Sequence, residues 1–177
     1  MSGEARGRHD RDPRGDTDRP GAAGEFVWEI ADVAGHRAGY GVTGVGPPAL
    51  FLHGWGLRPH AYRRPIEAMA RAGCRVFAPA LPGFGGTREL PAEQRTFAGY
   101  GAWVGEFLDA VGVDGAALVA GHSFGGGVAT AFVYEQPRRA SALLLANAVG
   151  SPTWALFPDE VRTMVERPMW DLSLIHI

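Results

Sequence analysis

Ser123 sits in the run Gly121-His122-Ser123-Phe124-Gly125, a G-x-S-x-G pattern between the apolar stretch Gly115 to Ala120 and the low-bulk stretch Gly126-Gly127-Val128-Ala129-Thr130-Ala131-Phe132. A serine hydroxyl is a weak nucleophile until it is presented to a substrate and a base takes its proton. The pattern supplies the presentation: a strand enters a turn so tight that small residues must flank the serine, which lifts its hydroxyl clear of the sheet. In a chain with 26 glycines the bare pattern carries little weight. Its context carries more, because strand-like Ala116-Ala117-Leu118-Val119-Ala120 precedes it and a helix able to pack close on a sheet follows. Ser123 is the expected nucleophile.

A serine that attacks a carbonyl creates an oxyanion, which backbone N–H groups stabilise. Pro48-Ala49-Leu50-Phe51-Leu52 reads as a buried strand and ends in His53-Gly54-Trp55-Gly56. The loop after such a strand supplies one amide and the residue after the nucleophile supplies the other. Trp55 and Phe124 are the expected donors through their main chain, their side chains being incidental to that role. Gly54, Gly121, Gly125 and His122 are expected to serve the turns, and His53 to tie down its own loop. The competing reading of His53 is a catalytic base.

Three segments in this order, His53-Gly54-Trp55-Gly56, Leu81-Pro82-Gly83-Phe84-Gly85-Gly86-Thr87 and Gly121-His122-Ser123-Phe124-Gly125-Gly126, resemble the α/β-hydrolase fold family. The resemblance implies a mostly parallel sheet with helices on both faces, here its N-terminal part through the sixth strand and the start of a cap. His53-Gly54-Trp55-Gly56-Leu57 is also similar to carboxylesterases of the pimeloyl-carrier-protein methyl ester esterase type, although Ala80 stands where many relatives carry an aspartate. Haloalkane dehalogenases and epoxide hydrolases place an aspartate at the elbow, so the serine here implies acyl transfer. The implied substrate is a small-molecule ester or related acyl compound, cleaved through an acyl-enzyme without metal or organic cofactor. Carbon–carbon bond hydrolysis, lactone opening and a non-catalytic ligand-binding role remain alternatives on the same elbow.

The resemblance also implies an acid and then a histidine after the serine. The histidine after Ser123 is His176, and the acids are Glu135, Asp159, Glu160, Glu166 and Asp171. His176 lies in Leu172-Ser173-Leu174-Ile175-His176-Ile177, which resembles a translated sequencing adapter. The expectation is a C-terminally truncated chain, inactive by itself, with the true histidine and acid beyond its end. Asn147 ends the sixth strand where some relatives place their acid, and Asp159 is the candidate acid within the chain. Trp154 and Phe157 either line an acyl pocket as the start of a lid or pack as ordinary helix residues.

The remaining composition excludes other function classes. A formal charge of −2, with no basic run, gives no reason to expect nucleic acid. All 17 basic residues are arginine, which rules out a lysine-bearing P-loop. Gly39-Tyr40-Gly41-Val42-Thr43-Gly44 matches a dinucleotide fingerprint, but Gly46-Pro47-Pro48 stands where its helix would have to begin, so NAD and FAD are rejected. Gly115 to Tyr134 is apolar enough to suggest a membrane span, yet it contains the serine elbow, and no membrane association is expected. With one cysteine, Cys74, and no leader segment, the cytoplasm is the expected location. Nothing in the sequence fixes an oligomeric state.

These residues need elements to hold them. Residues 1–24 carry five arginines and five acids with almost no apolar residue, and are expected to be a disordered tail. A core is expected over 25–149, a cap segment over 150–171 and the adapter-derived tail over 172–177. Within the core, Phe26 to Ile30 and His36 to Tyr40 suit a hairpin around Ala34-Gly35. Helices are expected over Ala61 to Ala72, Phe97 to Val111 and Phe124 to Glu135, and strands over Pro48 to Leu52, Arg75 to Ala80, Ala116 to Ala120 and Ala142 to Ala146. Strands alternating with helices imply parallel pairing. Leu143-Leu144-Leu145 reads as a strand covered on both faces, or as an uncovered, aggregation-prone edge if the chain stops soon after.

Overall fold

The alternation builds a six-stranded sheet in the computed structural model, which describes residues 25–149. The expected tails 1–24 and 172–177 and the cap segment 150–171, with Trp154, Phe157, Asp159 and His176, lie outside the described residues. Strands β1 (Val27–Val33) and β2 (His36–Thr43) form the hairpin. Ala34 and Gly35 both take positive φ, 50° and 79°, the backbone that a two-residue hairpin turn needs to match strand twist. The Asp32 carboxylate accepts the Gly35 N–H at 2.8 Å and holds the turn.

Strands β3 (Pro48–Leu52), β4 (Arg75–Pro79), β5 (Leu118–His122) and β6 (Leu143–Ala146) complete the order β1-β2-β4-β3-β5-β6. The hairpin and the β2–β4 pair are antiparallel, whereas β4–β3, β3–β5 and β5–β6 are parallel, as helix-linked strands should be. The sheet is therefore mostly parallel, as expected. Three helices cover it: α1 (Arg63–Arg71), α2 (Phe97–Ala110) and α3 (Phe124–Glu135). The Thr96 hydroxyl caps α2 by accepting the Gly99 N–H at 3.1 Å. No helix among the described residues is long and apolar enough to cross a membrane.

Side-chain alternation along the strands divides the core in two. Leu50, Leu52, Phe77 and Val119 pack with Val104, Phe107 and Leu108 of α2 and Val128 and Phe132 of α3. Their neighbours Ala49, Phe51, Val76, Ala78 and Ala120 pack with Ile66 of α1. One-residue steps send side chains to opposite faces, so β3 and β4 serve both clusters.

Some details depart from expectation, and the hairpin strands run three residues further than expected, to Val33 and Thr43. The helix expected from Ala61 is α-helical only from Arg63, because Pro59–Tyr62 forms a tighter 3₁₀ turn first. Strand β5 starts at Leu118 and runs on through His122, while Ala116 makes only an isolated bridge to Ala140. Of the two readings of Leu143, Leu144 and Leu145, the uncovered edge is the one seen: they are 38%, 50% and 42% exposed, and β6 is an edge of the sheet among the described residues.

Ile66 is the one fully buried side chain that α1 contributes to its cluster. Ile66→Ala is expected to cost about 2–5 kcal/mol. The check is urea unfolding, where the midpoint should fall with little change in slope.

Candidate active site

Strand β5 runs into α3 through Ser123, whose backbone takes φ 51° and ψ −117°. A non-glycine residue in that region is strained by about 1–3 kcal/mol and persists only where its surroundings fix it. They do so here through hydrogen bonds. The Ser123 N–H donates to the Ala146 carbonyl at 3.0 Å, and the Ser123 carbonyl accepts from Gly126 at 3.0 Å and Val149 at 3.0 Å. Ser123 is half-buried, and its hydroxyl neither caps α3 nor hydrogen-bonds to any group among the described residues.

The flanking glycines are there for close approach. A Cβ on Gly121 would overlap the Gly125 carbonyl, and one on Gly125 would overlap the carbonyl oxygens of Leu52 and His53. The small residues of the motif thus let the elbow press against the end of β3.

The amides of Trp55 and Phe124 donate to no acceptor among the described residues. Both are aimed by their own peptide planes, because C=O and N–H point in opposite directions across a planar trans peptide. The Gly54 carbonyl is held by the His53 Nδ1–H at 2.9 Å and the Leu57 N–H at 3.2 Å, which turns the Trp55 N–H the other way. The Ser123 carbonyl, held by Gly126 and Val149, does the same for the Phe124 N–H.

His53 is fully buried, and both of its ring nitrogens are engaged. Nδ1–H donates to the Gly54 carbonyl, while Nε2 accepts the Leu81 N–H at 2.9 Å. It therefore joins the loop after β3 to the loop after β4 and has no free lone pair for a serine proton. Burial pushes its imidazole below the usual 6.5, against a smaller upward pull from the Gly54 bond.

The three motif segments meet through rings. Trp55, 39% exposed, packs edge-on against Phe84 at 5.1 Å and Phe124 at 5.2 Å, and Phe84 also meets the His53 ring at 5.5 Å. The Trp55 side chain, incidental to amide donation, touches both of the other segments. Sequence reasoning also missed Tyr62. Its hydroxyl accepts the Gly54 N–H at 3.1 Å and lies 2.8 Å from His122 Nδ1. Asn147 follows β6 with φ 46°, beside the strand end that holds Ser123. Among the described residues no group of three or more His, Cys, Asp or Glu could hold a metal ion.

Two outcomes follow from this geometry. Gly125→Ala should destabilise the protein by about 1–3 kcal/mol, since the overlap is with backbone rather than a movable side chain; thermal melting would register it as a lowered Tm. Because the folded His53 value is depressed, the unfolded chain takes up a proton first as pH falls. The contribution of His53 is complete above 6.5 and is lost as pH drops below it. Unfolding free energies measured from about pH 7.5 down to about pH 5 should decline, and His53→Asn should remove part of that decline while lowering stability throughout.

Residues 47–175 match a protein family described as alpha/beta hydrolase fold. The chain is 36% identical over 113 residues to the pimeloyl-[acyl-carrier protein] methyl ester esterase of Aromatoleum aromaticum, covering 64% of this chain and 41% of that one. It is 37% identical over 123 residues to the 2-hydroxymuconate semialdehyde hydrolase of Pseudomonas putida, covering 66% of this chain and 42% of that one. Among solved structures, an epoxide hydrolase variant of Vigna radiata superposes with a TM-score of 0.63 at 26% identity, covering 68% of this chain and 38% of the other. The chain thus spans about two fifths of the length of these curated relatives. With a serine turn joined to β3 and β6 and a match over most of its length, the chain belongs to the alpha/beta hydrolase fold family.

Proposed function

We propose that Ser123 is the nucleophile of a hydrolase acting on a carboxylic ester or related small-molecule acyl compound. Its Oγ attacks the carbonyl carbon, its proton passes to a base, and the oxyanion meets the N–H groups of Trp55 and Phe124. Collapse expels the alcohol, which takes the proton, and water then releases the acid from the acyl-enzyme. The observation that carries this reading is a half-buried hydroxyl, without a hydrogen bond among the described residues, at a strained φ of 51°. The likeness to the methyl ester esterase supports it, as does the exposed Trp55 ring, against which an apolar acyl group would pack.

No side chain among the described residues hydrogen-bonds to the Ser123 hydroxyl, so the base and its acid are assigned to positions outside residues 25–149. Turnover is therefore read on the chain together with any longer product of its reading frame. A lone Cys74 fits the cytoplasm as the place of action. The likeness to 2-hydroxymuconate semialdehyde hydrolase supports a second reading, carbon–carbon bond hydrolysis on the same serine.

The test is fluorophosphonate labelling alongside p-nitrophenyl acetate hydrolysis, for both the chain and the longer product. Ser123→Ala should abolish labelling and lower turnover of the active form by about 10⁶. Labelling that survives the substitution takes the nucleophile role from Ser123.

A further inference from the structure

Helix α1 begins without a side-chain cap, because the residue before it is Tyr62. Serine, threonine, aspartate or asparagine would serve that position better, so a tyrosine there answers to something other than the helix. Its ring turns inward, packing at 5.1 Å from Phe51 of β3 and 5.4 Å from His122 of β5. The hydroxyl accepts the Gly54 N–H at 3.1 Å. It also lies 2.8 Å from His122 Nδ1, which accepts the phenol proton when the imidazole carries its own proton on Nε2. A Cβ on Gly54 would lie 2.9 Å from that hydroxyl and 3.1 Å from Nδ1, so any side chain there would have to push the Tyr62 hydroxyl aside.

We propose that Tyr62 is a positioning residue, whose hydroxyl clamps the loop carrying the Trp55 amide to the strand end carrying Ser123. The clamp rests on the serine-hydrolase reading above, since its purpose is to fix the spacing between nucleophile and oxyanion donor. Gly54 is pinned at both ends: His53 and Leu57 hold its carbonyl, and Tyr62 holds its N–H. With the hydroxyl removed, the peptide before Gly54 loses its acceptor and the loop loses its link to β5. The Trp55 amide then drifts from where negative charge develops, a stage that the substrate ground state does not share. The loss therefore falls on kcat and leaves KM nearly unchanged.

Tyr62→Phe tests this, because phenylalanine keeps the ring packing and deletes only the hydroxyl. In whichever form hydrolyses p-nitrophenyl acetate, kcat should fall about tenfold to a hundredfold with KM nearly constant, the scale of a catalytic group displaced by a fraction of an ångström. An unchanged kcat, or a loss confined to KM, overturns the clamp while Ser123→Ala continues to support the nucleophile. The second measurement needs no variant. Long-range ¹H–¹⁵N spectra of the 177-residue chain should show His122 Nδ1 as the unprotonated nitrogen, and in Tyr62→Phe that preference should weaken. A wild-type His122 protonated at Nδ1 overturns the proposal even if Tyr62→Phe does not fold. If every form fails to hydrolyse the ester, the serine reading falls, and the His122 spectrum still decides the clamp.

Discussion

A planar peptide cannot turn its N–H without turning its C=O, and the site depends on that constraint more than on any single side chain. The two amides proposed to receive the oxyanion are each fixed from behind. Gly54 carries its carbonyl into a bond with a buried histidine, and Ser123 carries its carbonyl into bonds with Gly126 and Val149. An amide held this way does not have to reorganise as charge develops in front of it, which is the condition under which such donors are effective. The strained φ at Ser123 belongs to the same arrangement. The turn that exposes the hydroxyl is also the turn that buries the carbonyl, so neither can relax without the other.

The two histidines nearest this arrangement differ because their surroundings differ. His53 is sealed among backbone groups, its tautomer is set by a carbonyl at one nitrogen and an amide at the other, and burial holds it neutral. Its role is to brace, through two hydrogen bonds, loops that the sequence separates by 28 residues. His122 is half-buried beside Ser123, and its Nδ1 lies 2.8 Å from the Tyr62 hydroxyl. Neither one faces the Ser123 hydroxyl with a free nitrogen through Nδ1, so adjacency in sequence is a poor guide to partnership in a triad.

Much of this could be read from residue order because the signals are local. Strand β3 and helix α3 have the bounds expected of them, since Gly46-Pro47 and the serine turn punctuate the chain at their starts. The Ala34-Gly35 turn was legible for the same reason: the glycine marks a positive φ, which Ala34 also adopts at 50° despite its Cβ. What the sequence did not disclose depends on distance. The Tyr62–His122 contact joins residues 60 apart, and no period or motif marks a tyrosine whose hydroxyl rather than ring is the working part. The helix expected from Ala61 failed at its start because Pro59 opens a 3₁₀ turn, which is what brings Tyr62 round to face Gly54. The covering of β6 stayed open between two readings because an all-leucine strand has the same pattern whether or not anything packs on it.

Ser123 N–H is held by the carbonyl of Ala146, at the end of a strand whose leucines are open to solvent and which pairs on one side only among the described residues. Edge strands with exposed apolar side chains open at lower free energy than strands inside the sheet, because fewer buried contacts are lost when they do. Opening β6 would release Ser123 N–H and, through Val149, one of the donors to the Ser123 carbonyl. The strained turn would then lose the bonds that keep it strained. The hydroxyl is therefore only as well presented as β6 is well held, and any contact that covered those leucines would tighten the elbow without touching it.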